Sequence, residues 1–182
     1  MLLQLKEATQ TAHHQAEINN LARFIMDHTI TDTQYKSLLL HNYQAYYAIE
    51  SYINEHQQHL PDLLQNLVSF EKSNKIKKDL QNLSVEIPSV KNFEIAKTHN
   101  IRASVLGAMY VMEGSMMGGM LLAKHLKNCK NLSQTTSIFY GGDPKAHRQR
   151  WTAFKEGVDS VSCTQQEIDV AVTTAQYTFS LF

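Results

Sequence analysis

Cysteine is scarce in this chain: 182 residues include two, Cys129 and Cys163. That number excludes a disulfide framework, their separation excludes a CxxC metal pair, and both fit a reducing compartment. Charge of one sign is also missing, since 17 Lys and Arg balance 17 Asp and Glu. The overall field therefore favours neither nucleic acid nor an anionic membrane surface as a partner. No long apolar run occurs either. The most apolar stretch, residues 101 to 126, is broken by Arg102, Glu113, Lys124 and His125, short of the roughly 20 apolar residues of a membrane helix. The start, MLLQLKEATQ, turns polar too early for an export signal. The expectation is one cytoplasmic domain over residues 1–182, with no nucleic-acid partner and no membrane, large enough to bury a core unaided.

Proline is confined to positions 61, 88 and 144, and apolar residues between the prolines recur at three- and four-residue spacing, so the fold class is all-α. In the first helix Leu5, Ala8, Thr9, Ala12, His13 and Ala16 share a face. The second starts at a capping box, Thr31 to Gln34, and carries Tyr35, Leu38, Leu39, Asn42, Tyr46, Ile49 and Ile53. A weaker pattern runs from Leu63 to Leu83, a loop is expected near Pro88, and a helix starting near Phe93 or later should span 101–126. Tyr140 to Pro144 reads as a turn, and a second capping box, Thr164 to Glu167, opens the last helix. No alternating strand pattern or internal repeat competes.

Glycine is sparse but concentrated. Three of the seven, Gly114, Gly118 and Gly119, fall within six residues in YVMEGSMMGG. Each interior glycine costs a helix roughly 1 kcal/mol relative to alanine, so something must need bare backbone there. Gly107, Gly114 and Gly118 share one face over about 16 Å of helix. Taken alone, the stripe reads more readily as a close helix–helix approach than as the bed of a flat ligand. Met109, Met112, Met116, Met117 and Met120 around it read as adaptable core.

Two segments together carry a resemblance. LKEATQTAHHQAE at 5–17 resembles the proximal helix of heme oxygenases, and the EGSMMGG run at 113–119 resembles their glycine-rich distal helix. The likeness extends more loosely through the Tyr-rich second helix, Trp151 to Phe154 and the terminal helix. It implies a bacterial, biliverdin-producing type: a single-domain bundle with heme sandwiched between a proximal and a glycine-kinked distal helix. His13 is implied as the iron ligand and Glu17 as its orienting carboxylate. The spacing agrees, because residues at i and i+4 are neighbours and a carboxylate can fix the ring's tautomer. His14 points about 100° away and reads as a surface residue.

Lys6 matches a residue placed to meet a heme propionate, on the same edge as Gln10 and His13, while Arg150 and Lys155 are the nearest candidates for further basic contacts. Gly114, Ser115 and Gly118 are implied at the distal, oxygen-handling face, with Gly119 beside the heme. Ser115 stands where the mammalian type has aspartate. The implied reaction consumes heme as both substrate and cofactor, with O2 and electrons from an external reductase or ferredoxin, and yields biliverdin, carbon monoxide and ferrous iron. A phytochrome-type protein is an implied acceptor of the pigment. The rival readings are a non-enzymatic heme-binding or storage protein of the same fold, a thiamin-salvage type enzyme, for which Cys129 and Cys163 lie in the wrong surroundings, and a helical module without cofactor.

Overall fold

The computed structural model describes residues 1–90, 93 and 100–182. Among these the secondary structure is helical and no strand occurs. In chain order the helices are α1 (Leu2–Ala8), α2 (Gln10–Asn19), α3 (Arg23–Met26), α4 (Asp32–Glu55), α5 (Asp62–Gln65), α6 (Glu71–Asn82), α7 (Ile101–Leu126), α8 (Pro144–Asp159) and α9 (Gln165–Phe179), with one 3-10 turn at Gln57–His59.

Local chemistry sets the boundaries. Both capping boxes form: Thr31 accepts from the Gln34 amide and Thr164 from the Glu167 amide, while each third-position side chain returns the bond. Asp143 caps α8, with Pro144 at its first position. The turn before it passes through Gly142 at φ +118°, a conformation that favours glycine. Residues 85–90 have no regular structure, matching the loop expected at Pro88. The helix expected from Phe93 or later starts at Ile101; residues 94–99 lie outside the described residues.

One expectation needs correction. The first helix is not a single piece but two, divided at Thr9, a buried residue with φ −100° and ψ 0°. Its hydroxyl donates to the Leu5 carbonyl at 2.7 Å. Such back-bonding competes with the backbone ladder and bends helices.

The core gathers around α7. Its first half buries Ala103 through Met109 without a break, then Val111 and Met112, against α9 above all and also α4. Gly107 makes this possible: a Cβ there would lie 2.2 Å from the Ala171 carbonyl oxygen of α9. A hydroxyl chain ties the same three helices together, as Tyr52 donates to Ser104 at 2.9 Å and Ser104 meets Thr174 at 3.1 Å. By length and composition α7 could cross a membrane, but half of its most apolar window is buried inside the bundle.

A buried charge cluster joins α4, α6, α7 and α8. Glu113 takes Lys72 at 2.9 Å on one oxygen and Arg150 at 2.6 Å on the other. Glu50 accepts from the backbone amides of Lys72 and Ser73 at 3.0 and 3.1 Å. Desolvation raises the Glu50 carboxyl above its ordinary 4.5, against the lowering pull of Ser73 and Lys72.

Candidate functional site

The second half of α7 does not pack the way the first does. Between it and α1–α2 lies a cavity of about 790 Å³, within the range of about 300–1,000 Å³ usual for small-molecule sites. Lys6, Gln10, His13 and Glu17 line one wall; Gly114, Ser115, Gly118 and Gly119 line the facing one. α2 has no buried residue at all. Its inner face is turned to this space and to the edge of α9, so no residue of it is fully enclosed.

His13 is held loosely. Its ring stands edge-on to Phe179 of α9, with centroids 5.2 Å apart. Nε2 lies 3.7 Å from a Glu17 oxygen, and the imidazole is 55% exposed. That separation is too long for a hydrogen bond but allows a charge contact one helical turn away. His14, expected at the surface, is exposed and lies outside the cavity lining.

The glycines of α7 divide by role. A Cβ at Gly118 would have nothing within 4 Å; at Gly114 it would reach only ordinary contact with the Trp151 ring at 3.9 Å, and at Gly119 with Tyr140 at 3.7 Å. The helix is α-helical from Ile101 to Leu126 through all of them. Ser115 donates its hydroxyl to the Met112 carbonyl at 2.8 Å. Burial pushes the Tyr46 phenol far above its usual range, so it stays protonated.

Two expected contacts are not brought here. Arg150 and Lys155 are absent from the lining residues. The Arg150 guanidinium is engaged by both Glu113 oxygens and by the Leu67 carbonyl, leaving it committed to the interior. The alignment by position on α8 misled because it could not show which way the helix turns its basic residues. Arg23 of α3, unnoticed in the sequence, lines the cavity instead, with its Nη1 donating to the Ile18 carbonyl at 2.8 Å.

The closed end of the cavity was also missed. Asn42 and Tyr46 of α4 meet Phe139 and Tyr140 from the loop before α8. Buried Asp79 fixes that loop, accepting from Ser137 Oγ at 2.7 Å and from the amides of Ile138 and Phe139 at 2.7 and 2.9 Å. A signal existed: Asn42 is a polar residue in an otherwise apolar stripe. Its partner, 98 positions away, was not visible.

A family model described as heme oxygenase matches residues 1–182. The structure is similar to the NO- and CO-bound heme oxygenase from Neisseria meningitidis, at TM-score 0.72 and 19% identity over 97% of this chain and 84% of that one. It is also similar to heme oxygenase-1 from the cyanobacterium Synechocystis in complex with heme, at TM-score 0.71 and 18% identity over 98% and 86% of the two chains. No curated protein matches in sequence.

Proposed function

The chain belongs to the heme oxygenase family, and on that premise we propose that it binds heme between α2 and α7 and opens the ring, using O2 and electrons from a separate reductase or ferredoxin, to give biliverdin, carbon monoxide and ferrous iron. The observation that carries the reading is the facing pair of walls: His13 on one side and the open backbone of Gly114 to Gly119 on the other. Apolar and aromatic side chains such as Met116, Trp151 and Phe179 complete the lining, the surroundings a flat macrocycle requires. The similar Synechocystis protein is described in complex with heme.

When bound, heme supplies the iron that activates oxygen and is itself the ring consumed. The chain's residues do the rest. His13 offers an imidazole, and Glu17, one helical turn on, stands within charge contact of it, close enough to become its partner when the ligand is bound. Lys6 and Arg23, the Lys and Arg residues of the lining, offer charge-assisted bonds to the substrate's carboxylates, and Gln10 lies on the same wall. On the opposite wall, bare backbone at Gly118 admits close approach, and Ser115 with Tyr46 adds polarity. Pigment released to a phytochrome-type acceptor in the cytoplasm completes the proposal.

The test is to titrate the purified protein with hemin, then add a reductant and oxygen. Loss of the Soret band with growth of the broad red absorbance of biliverdin is expected. A Soret band that persists would mean a heme-binding protein without turnover, and no band at all would leave the cavity to another ligand. Replacing His13 with Ala should change the ferric spectrum; an unchanged one would assign the iron to a different residue.

A further inference from the structure

Two histidines from distant parts of the chain meet outside the cavity. His28, in the turn after α3, and His125, in the last turn of α7, bring Nε2 and Nδ1 to 3.0 Å, with ring centroids 5.1 Å apart and planes inclined by 28°. His28 is exposed, His125 is half-buried, and neither lines the cavity. Buried neighbours fix the backbones that carry them: Ile25 and Leu126 lie in the core, and the Cys129 thiol reaches the Ile25 carbonyl at 3.7 Å. His28 also sits at φ +58°, in the left-handed region, where the amides of Thr29 and Ile30 both return to the Phe24 carbonyl at 2.9 and 3.0 Å. Glycine takes this position after a helix at no steric cost. A histidine there accepts strain, and its ring is what the strained turn places against α7.

From this juxtaposition we propose that His28 and His125 form a binding site for a divalent transition cation of tetragonal preference, Cu2+ or Ni2+, which ties the α3 turn to the end of α7. Two nitrogens each about 2.05 Å from one ion lie about 2.9 Å apart when they meet it at a right angle and about 3.3 Å apart when they meet it tetrahedrally. The observed 3.0 Å is close to the right-angle spacing, the geometry that Cu2+ and Ni2+ take with nitrogen and oxygen ligands. Without an ion the rings point at each other and share one proton, since a neutral pair makes a single N–H···N bond. An ion takes that proton's place. The donor ring moves its proton to its other nitrogen, each imidazole stays neutral, and a tilt of the two rings turns both lone pairs onto the ion, with water in the remaining positions. Asp27 and Lys124, the charged residues next to the pair in sequence, are opposite in sign, so they add no net repulsion of a cation. The site is independent of the reaction proposed above.

Calorimetric titration of the untagged protein with Cu2+, and separately with Ni2+, tests the site. Wild type should take up one equivalent at this pair, and His28→Gln and His125→Gln should each hold that equivalent about tenfold or more weakly, because a chelate becomes a single ligand. The Cu2+ EPR spectrum should show splitting from two nitrogens in wild type and lose it in either variant. Uptake should persist in His13→Ala and in hemin-loaded protein, since the pair lies outside the cavity, so a failure of the hemin chemistry leaves this result standing. Thermal unfolding reads the tie itself: Ni2+ should raise the Tm of wild type and not that of the variants. Should a Gln variant fail to fold, His28→Gly suits the left-handed turn and removes the same ligand. No uptake by wild type would overturn the proposal. So would uptake and a Tm rise that persist unchanged in both variants, which would assign the ion to other histidines.

Discussion

Gly107 and Gly118 lie on the same helix and were placed on the same face, yet they do opposite things. At Gly107 the absent Cβ lets the backbone of α9 close to a distance that a side chain could not share. At Gly118 the absent Cβ opens onto the cavity with nothing within 4 Å. One half of α7 is shaped by protein packing, the other by a space that protein does not fill. A small-residue stripe therefore records where bulk is unwelcome without recording what takes its place. α2 repeats the point from the other side: it carries His13 and Glu17 along the cavity but fully buries none of its residues.

Glu113 marks the boundary between these halves, and removing it should have the largest effect. Glu113→Ala would leave Lys72 and the largely buried Arg150 without their shared counter-charge. Breaking such a pair costs about 3–5 kcal/mol, so denaturant unfolding should show a loss of that size. A loss below about 1 kcal/mol would mean the cluster is hydrated and the boundary is not structural.

The next effect tests the packed half directly. Gly107→Ala forces a methyl against the Ala171 carbonyl, and overpacking of this kind costs about 1–3 kcal/mol. Gly118→Ala, by contrast, relieves a helix of its glycine and should raise the stability of the ligand-free protein by up to about 1 kcal/mol. The same change should weaken hemin binding, because the methyl enters the space the ligand needs. Two unfolding curves and one titration decide it. If both substitutions destabilise the protein equally, or if Gly118→Ala binds hemin as wild type does, the two halves of α7 do not differ as described.

This division explains what could be read before the structure. Periodicity and capping boxes located α4, α7 and α9, because each is specified by residues three or four apart. The His13 and Glu17 pair was visible for the same reason. Glycine spacing flagged α7, but Gly107 could not be told from Gly118, since the difference lies in α9, more than sixty residues on. Arg23 was missed and Arg150 misplaced because a charge's target is a tertiary fact. Thr9 showed no sign of dividing the first helix, since its hydroxyl bond to the Leu5 carbonyl depends on a rotamer adopted in its buried setting, which local spacing does not encode. The Asn42 and Tyr140 contact depends on Asp79 holding a distant loop, which no local pattern encodes.

The smallest predicted effect concerns the N-terminal clasp of the packed half. Arg102, in the first turn of α7, meets Glu167, the capping-box residue of α9. The Thr164 backbone amide, then the Asn100, Arg102 and Thr164 side chains, hold the Glu167 carboxyl down from its ordinary 4.5 to about 2. A carboxylate depressed in the folded state contributes stability that is fully present above its unfolded value and is lost as pH falls through its folded one. The stability gap between wild type and Glu167→Gln should therefore be flat from neutral pH down to about pH 5 and shrink below it, because the unfolded chain takes up the proton first. Urea unfolding at three pH values measures this. A gap that widens on acidification would require the carboxyl to be raised rather than lowered on folding, and the cap would then be a strain on the α7–α9 contact instead of a support. Because the residue is near solvent, the gap should also narrow in high salt, unlike the cost at Gly107, which is steric and should not change.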